Sequence, residues 1–436
     1  SGNLAASVFA TAGVTGVDGT NLSAIQSALD SAAVNGLAAD TTAEVQAIVD
    51  AYKVIKDNAD TAGTTNATAA QYTAVGVTGI DSAAKASLLG DVVDTKAFAD
   101  VDTVLELQTL ATAAAAVITG AAAGTQPTKA QLEALGITGV TDANLSAIQA
   151  AIAATADDGT GVDTLAELQA VANTGATNAA NAAAIAAALS TIAAAAQANN
   201  ATDSNVPYTL FATAGVTGVD ANNIAAIQSA LNDTDVQSGQ ADTAAKVQAV
   251  VDAYNAIKAN ADAAGSTNAT QAQYAAIGIN GIDSAAKTSL LGDVVDTKAF
   301  ADVDTVDELQ ALATAAAAVI SGATAGGTTP TKAQLEALGI TGVTTGNLAA
   351  VLAAIAATPD DGTGVDTLSK LQTLVSSIND APTGTNAAFT VLEDGSKTFA
   401  AADFGFADAS DSPANTLSAV IITTLPTAGT LKLNGT

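Results

Sequence analysis

The stretch KAQLEALGITGVT occupies Lys129 to Thr141 and returns unchanged at Lys332 to Thr344. Looser copies of its core, G-[VI]-x-G-[VI], begin at four more glycines. An identity of this length is not expected by chance, and a pattern that returns roughly every sixty to eighty residues indicates tandem repeats. The chain is therefore predicted to be an array of modules. The six leading glycines are Gly13, Gly76, Gly136, Gly215, Gly278 and Gly339.

A longer repeat contains the shorter one. The string LLGDVVDTKAFADVDTV is identical at Leu88 to Val104 and at Leu290 to Val306, and the first three modules recur as the next three, 202 or 203 residues later. Duplication of a three-module block accounts for this arrangement. The sequence predicts six helical modules and a final segment of another kind, with the bounds 1–60, 66–120, 127–200, 204–262, 268–322, 330–379 and 380–436.

Each module is predicted to contain three short helices. Thr128 and Gln131 have the spacing of a capping box, in which both side chains satisfy free backbone N–H groups of the first turn. Gly136 ends that helix, because a residue without Cβ enters the left-handed cap conformation at little cost. A large apolar residue four positions before each glycine is expected in the core. These core anchors are Phe9, Tyr72, Leu132, Phe211, Tyr274 and Leu335, and further boxes lie at Thr68/Gln71, Thr270/Gln273 and Thr331/Gln334.

The second and third helices have start signals of their own. Polar residues after the second glycine are expected to cap the second helix, and T-x-x-E opens the third helix in four modules. Lys246 and Lys370 replace the glutamate in modules four and six. The predicted caps of the second helix are Asp18, Asp81, Thr141, Asp220, Asp283 and Thr344, and the T-x-x-E pairs are Thr41/Glu44, Thr103/Glu106, Thr164/Glu167 and Thr305/Glu308.

Segments rich in Gly, Thr, Asn and Ala separate the modules and have the composition of linkers. Module three is longer than the others. Its Ile185, Leu189 and Ile192 predict an added alanine-rich helix after a break at Gly175. Two positions for this helix are open, since it can pack on its own module or bridge to module four.

From about Asn379 the periodicity changes to that of strands. Alternating β-formers surround AVIITTL and GTLKLNG, with Pro and Gly turns between them. The segment Asn379 to Gly435 closely resembles the cadherin-like, immunoglobulin-type tandem domains of giant secreted adhesins of Gram-negative bacteria. Domains of that family are longer, so the resemblance implies a partial β-sandwich that is truncated after its first strands. The predicted fold class is mainly α: tandem three-helix bundles followed by this partial β-sandwich.

The helical modules resemble the Ala- and Thr-rich repeats of the same large, often calcium-dependent surface proteins. Their size and helix order also resemble small three-helix ligand-binding modules of the albumin-binding type, although no binding motif of that family matches residue by residue. The composition, acidic and free of Cys and Met, is similar to that of very large secreted bacterial surface proteins. These resemblances imply an extracellular location at the bacterial cell surface.

Composition argues against several functional classes. Histidine and cysteine are absent and lysine supplies all 13 positive charges, which removes the imidazole base, the thiolate nucleophile and the usual zinc site. A net charge of −30 repels phosphate backbones and anionic membranes. The most apolar window, Ala179 to Ala198, contains Asn, Ser, Thr and Gln and few large residues, so membrane insertion is not expected. We predict a protein that is not an enzyme and binds no nucleic acid.

Acidic clusters are the remaining candidate chemistry, because carboxylate oxygens suit calcium. The loops Asp91 to Thr103 and Asp157 to Asp163, which recur in the second block at Asp293 and Asp360, each gather three or four aspartates. Neither has the ligand spacing of an EF-hand, and the helix dipole explains the first-turn Asp163 equally well. In the β segment, the resemblance to cadherin-type domains implies a calcium site, with ordinary turn chemistry as the alternative. Its implied ligands are Asp380, Glu393, Asp394, Asp408 and Asp411.

Two short motifs have structural alternatives to a binding role. The G-x-x-G turn can be read as a phosphate cradle, but its neighbours are Val, Ile, Thr and Asp and not Lys or Arg, so a helix-to-helix hinge is preferred. The N-A-T triplets match glycosylation sequons but lie beside helix caps, where a structural use is preferred. They begin at Asn66, Asn200 and Asn268.

Three functional hypotheses follow. The favoured one is a non-enzymatic structural or stalk segment of a large extracellular adhesin or surface fibre, which spaces or presents binding regions. One alternative is a surface-layer or filament subunit that self-associates through its helical modules. The other is a multivalent array whose bundles each bind a host or matrix protein, in which case multivalency explains the copies.

Overall fold

The computed structural model describes residues 4–61, 63–198, 206–262, 267–378, 382–408 and 414–434. Over these residues the chain is mainly helical, as predicted, and three α-helices lie in each of the six sequence modules. In chain order they are α1 (Ala6–Thr11), α2 (Leu22–Leu29), α3 (Thr42–Asp60), α4 (Ala69–Ala74), α5 (Ala83–Asp94), α6 (Val104–Ala121), α7 (Lys129–Ala134), α8 (Leu145–Ala153), α9 (Leu165–Ala198), α10 (Tyr208–Thr213), α11 (Ile224–Leu231), α12 (Ala244–Asp262), α13 (Gln271–Ala276), α14 (Ala285–Asp296), α15 (Val306–Ala323), α16 (Lys332–Ala337), α17 (Leu348–Ala356) and α18 (Leu368–Ser376).

The start signals of the first and third helices are confirmed. At each predicted threonine–glutamine box, the threonine Oγ1 accepts from the N–H three residues later. The glutamine side chain in turn accepts from the threonine N–H. Three T-x-x-E boxes close in the same way, and Thr164 Oγ1 accepts from the Glu167 N–H at 3.3 Å. All six core anchors are buried, the most exposed being Phe9 at 4%. Each buried anchor contributes roughly 1.5–3 kcal/mol.

The second helices begin one to three residues later than predicted, although Thr141 and Thr344 each accept from the N–H three residues later, at 3.3 and 3.1 Å. In modules two and five the caps are Ser82 and Ser284, each of which accepts from a lysine N–H, while the preceding aspartate pairs with that lysine's ammonium. In the other four modules an asparagine precedes the helix. Its Oδ1 accepts from the N–H three residues earlier and its Nδ2 donates to the carbonyl of the module's second glycine. These asparagines are Asn21, Asn144, Asn223 and Asn347.

The modules pack differently from self-contained bundles. The chain divides into two compact units, Ser1–Ala184 and Ile185–Thr436. Within a unit, the first helix of a module packs mainly on the third helix of the module before it: α4 on α3, α7 on α6, α13 on α12 and α16 on α15. One continuous core runs from Phe9 to Ala172 in the first unit, and another runs from Ala188 to Val375 in the second. Each unit is therefore a stack of repeats that share a core, as in repeat proteins generally.

Module three contains no helix break at Gly175. α9 runs without interruption over 34 residues, and a Cβ on Gly175 would lie 2.5 Å from the Ile148 Cα. The glycine thus permits close packing of α9 on α8 and does not end the helix. The added alanine-rich segment is the distal part of α9. Its residues Ala188, Ile192, Ala195 and Ala196 belong to the core of the second unit, together with module four.

The predicted partial β-sandwich is not found. Residues 382–408 and 414–434 contain no strand, and their single antiparallel bridge joins Thr383 to Ala407. The apolar side chains around AVIITTL stay at the surface, where Ile421 is 85% exposed. A strand is stabilised by hydrogen bonds to its neighbours and by an apolar face that packs on another layer. The described part of the chain gives AVIITTL neither kind of partner, so alternation alone has not produced a sheet here.

Candidate functional site

The implied calcium ligands are not brought together over the part of the chain that the structure describes. Asp380 and Asp411 lie outside the described residues. Glu393 and Asp394 are exposed in a turn, and Asp394 has a left-handed φ of 66°. Asp408 is buried: its Oδ2 accepts from the Asn415 N–H, and its Oδ1 has no partner among the described residues. No cluster of three or more acidic side chains suited to a metal ion occurs in the described ranges.

Two aspartates of the predicted acidic loop, Asp91 and Asp94, lie in the last turn of α5 and hold the repeats together. Asp91 Oδ1 accepts from Asn66 Nδ2 at 3.1 Å, and its Oδ2 accepts from the Leu165 N–H at 3.1 Å. Asp94 Oδ1 accepts from the Gly63 N–H at 3.0 Å. These carboxylates satisfy backbone and amide donors of the preceding connection and of the next module. Such bonds to a charged acceptor are worth about 1.5–3 kcal/mol each.

The loop at Asp157 to Asp163 is an ordinary polar turn. Asp158 Oδ1 accepts from both the N–H and the Oγ1 of Thr160, at 3.1 and 2.8 Å, and these hydrogen bonds lower the pKa of the Asp158 carboxyl. Burial, followed by the nearby Glu167, raises the pKa of Asp163. The second block repeats the turn, since Asp361 Oδ1 accepts from Thr363 in the same way.

Two further carboxyls have a raised pKa for a structural reason. Asp102 and Asp304 each precede the threonine that caps a third helix, and burial, then repulsion from the capping glutamate, raises the pKa of both. The glutamates, Glu106 and Glu308, are fixed by their capping boxes. A pair of carboxylates with separated pKa values is typical of acid–base catalysis. Here the glutamate of each pair is engaged in a helix cap, so the pair has a structural explanation.

The G-x-x-G turn is locked by a contact that the sequence analysis missed. In module two, the Thr78 N–H donates to Gln108 Oε1 at 2.9 Å, and Gln108 Nε2 donates back to the Thr78 carbonyl at 3.1 Å. All six modules have this two-bond clamp between the turn and the third helix. The sequence signal was the glutamine after Leu or Val in every third helix: Gln46, Gln108, Gln169, Gln248, Gln310 and Gln372.

A second recurring contact joins one module to the next. Ser27 Oγ on α2 accepts from the Val104 N–H at the start of α6, at 2.9 Å. Asp91 on α5 does the same for Leu165, and the second block repeats both bonds. The first N–H groups of a helix have no partner within it, so an acceptor from the neighbouring repeat satisfies one of them. At the position of Ser27, the last module of each unit has alanine instead: Ala150 and Ala353.

Where lysine replaces the capping glutamate, the threonine Oγ1 still accepts from the N–H three residues later, but the lysine makes other contacts. Lys246 Nζ donates to the Gly239 carbonyl and to Asp242 Oδ1, both at 2.7 Å. Lys370 makes the equivalent bonds to the Thr363 carbonyl and Asp366 at 2.8 and 2.7 Å. The lysines therefore tie the acidic loop to the helix, whereas the glutamates satisfy backbone donors.

Two of the three sequons have a structural use. Asn66 Nδ2 donates to the Ser87 carbonyl and to Asp91, and the Asn66 side chain lies directly over Gly90, where a Cβ would come within 2.3 Å of it. Asn268 lies over Gly292 in the same way. The following residues, Ala67 and Ala269, are buried, so these connections are packed parts of the stack. Asn200 lies outside the described residues.

Two described helices are long and apolar enough, by length and composition alone, to cross a membrane: Val104–Ala121 and Leu165–Ala196. Half of the first window is buried inside the first unit, whereas 22% of the second is buried. A helix in the core of a repeat stack meets the same criterion. The absence of membrane insertion therefore stays a prediction.

The fold and these contacts define a class: an α-helical tandem-repeat protein whose modules stack on shared cores. Comparison with known proteins gives no more specific family. No family model, no curated protein and no solved structure matches the chain. The functional argument therefore depends on the geometry of the described residues.

Proposed function

We propose that this chain is a non-enzymatic structural segment of a large extracellular bacterial adhesin or surface fibre, in which stacked modules space or present binding regions. The observation that carries the proposal is the use of the repeated polar residues. The glutamine clamp, the capping boxes and the bonds of Asp91 are all contacts within or between modules. Duplication of the block thus duplicates an architecture.

The acidic residues support a structural role more than a catalytic one. A surface depression is lined by Lys96, Asp100, Glu106, Thr109 and Leu110. Its Glu106 accepts from the N–H and Oγ1 of Thr103 at the start of α6, so this carboxylate is engaged in the helix cap. A net charge of −30 keeps exposed repeats soluble and mutually repelling, which suits a long surface structure.

The location at a bacterial surface and the adhesin context are supported by the resemblance of the sequence to such proteins. Calcium binding by the C-terminal segment stays a prediction. The Oδ1 of buried Asp408, which has no partner within the described ranges, is a suitable oxygen ligand. Isothermal titration of the full chain with calcium tests it, with Asp408→Asn as the variant expected to weaken binding.

Replacement of the second block tests the structural role. In cells that carry the gene, modules four to six would be replaced by an unrelated helical repeat of the same length, and adhesion to the native surface would be measured. A spacer predicts that adhesion is retained, because only length and stability matter. If adhesion is lost although the replaced protein is displayed at the normal level, the modules themselves bind the target and the array hypothesis replaces ours.

A further inference from the structure

Modules one and four are copies, and among the described residues the distal part of α9 precedes module four. The distal part of α9, residues 185–198, belongs to the same core as module four through Ala188, Ile192, Ala195 and Ala196. Its other face lines a groove with Ser238, Gly239 and Asp242, which precede α12. Through its buried residues the segment belongs to the same core as Phe211 of α10. We call it the cap helix of module four.

The equivalent face of module one is uncovered. Leu4 is 43% exposed, whereas its copy Val206 is 4% exposed. Val8 is 47% exposed, whereas its copy Leu210 packs against the core. Four more positions change in the same sense, from exposed or half-buried in module one to buried in module four. The uncovered face consists of Leu4, Val8, Ala12, Leu29, Ala39 and Val45, and its covered copies are Val206, Leu210, Ala214, Leu231, Ala241 and Val247.

The residues of module one at this face are also apolar, as expected for a surface that another helix covers. The first helices of modules two, three, five and six begin with a polar capping box, whereas α1 and α10 follow Ala5 and Pro207 without one. At the glutamine position of that box, modules one and four have Val8 and Leu210. Leu37, which is 80% exposed, stands where Gly239 lines the groove beside the cap helix. An apolar surface of this kind on a soluble protein marks an interaction site.

We propose that this face of module one binds a second cap helix: an alanine-rich amphipathic helix with the chemistry of residues 185–198, supplied by a further block of the same repeat. The covered copy in module four shows which side chains fill the face. An exchange between two copies of the described residues would not satisfy it, because their one cap helix already belongs to the core of module four. The inference depends on the repeat architecture and not on the extracellular role proposed above.

A fusion to the full chain tests the proposal. Residues 183–205 would be placed directly before Leu4, so that module one has the same preceding segment as module four. Hydrogen–deuterium exchange over residues 4–29 is expected to slow at least tenfold, because the new helix buries Leu4 and Val8. A matched fusion in which the added copy carries the change equivalent to Ile192→Asp should leave exchange unchanged, since a carboxylate cannot enter the core.

The oligomeric state of the chain without the fusion is the second measurement. Sedimentation at micromolar concentration is expected to give a monomer, because the cap helix of the described residues already packs on module four. Unchanged exchange in the fusion would overturn the proposal, as would equal protection by the Ile192→Asp version. A dimer of the original chain in which residues 185–198 cross-link to Val8 of the other copy would replace the proposed partner by helix exchange.

Discussion

Gly175 lies against Ile148 so closely that a Cβ on residue 175 would come within 2.5 Å of the Ile148 Cα and 2.8 Å of its N atom. Backbone atoms cannot move aside as the end of a flexible side chain can. The contact therefore fixes how closely α9 approaches α8 in the last module of the first unit. It also separates two interpretations of one glycine, a helix break and a site of close packing.

Gly175→Ala is expected to destabilise the first unit by about 1–3 kcal/mol, because overpacking forces the two helices apart. If the glycine were only a weak point in a helix, alanine would instead stabilise it by up to ~1 kcal/mol. Chemical denaturation followed by circular dichroism measures the sign. Gly36→Ala is the control, since a Cβ there meets nothing within 4 Å. Stabilisation by Gly175→Ala would contradict the packing of α8 on α9.

The glutamine clamp predicts a loss that depends on hydrogen-bond chemistry. Gln108→Glu keeps an acceptor for the Thr78 N–H but places a carboxylate against the Thr78 carbonyl, so both bonds cannot remain. We expect a destabilisation of about 1–2 kcal/mol. Thr109→Ala, on the exposed side of the same helix, is the control and should change stability by less. Equal stability of Gln108→Glu and the parent protein would show that the clamp is not needed.

The hydrogen bond between Ser27 Oγ and the Val104 N–H predicts that two substitutions of Ser27 differ in stability. Ser27→Ala leaves a helix N-terminal donor without its acceptor and should cost about 1 kcal/mol. Ser27→Asp should be tolerated, because Asp91 makes the same bond to Leu165 in the next module. Thermal unfolding of both variants measures the difference. A more stable Ser27→Ala than Ser27→Asp would mean that the bond does not hold the modules together.

Asp60 and Asp102 contribute to the pH dependence of stability in opposite directions. The ion pair with Lys56, followed by smaller contributions, lowers the pKa of Asp60 from 3.8, so its stabilisation is present above pH 3.8 and is lost as the pH falls below that value. Burial raises the pKa of Asp102 above 3.8. The folded chain therefore protonates Asp102 at a higher pH than the unfolded chain does, and this carboxyl adds stability as the pH falls through its raised pKa toward 3.8.

Thermal unfolding between pH 7 and pH 3 at fixed salt measures this profile. Asp102→Asn separates the carboxyl from the general decrease in negative charge: it should raise stability at pH 7 and have little effect near pH 4. A variant that is equally stable to the parent protein at pH 7 would show that ionised Asp102 costs nothing in the fold.

The helices were predictable because their signals are local. Thr128 and Gln131 are three residues apart and Leu132 is one turn from Gly136, so capping and periodicity identify them without knowledge of the partner. The clamp joins residues about thirty positions apart, and only the recurrence of glutamine in every third helix could have indicated it. The packing of α4 on α3 is likewise invisible in a pattern that shows only which face is apolar.

The wrong predictions share a physical cause. Gly175 was interpreted as a break because the sequence does not show the backbone of α8 that approaches it. The alternation around Ile421 was interpreted as a strand, although a strand exists only with partners beside it. Asp18 was expected to cap α2. It instead accepts from the Thr20 N–H, while Asn21 occupies the cap position.

Native-state hydrogen exchange of Leu132→Ala tests most directly whether the modules share one core. Leu132 is fully buried in α7 of module three, which packs on α6 of module two, and the substitution should cost about 2–5 kcal/mol. Leu335→Ala is its match in the second block. We predict that α6 loses protection together with α7 and α8, and that α15 does so in the matched variant. Faster exchange confined to residues 128–153, with α6 unchanged, would contradict the shared core.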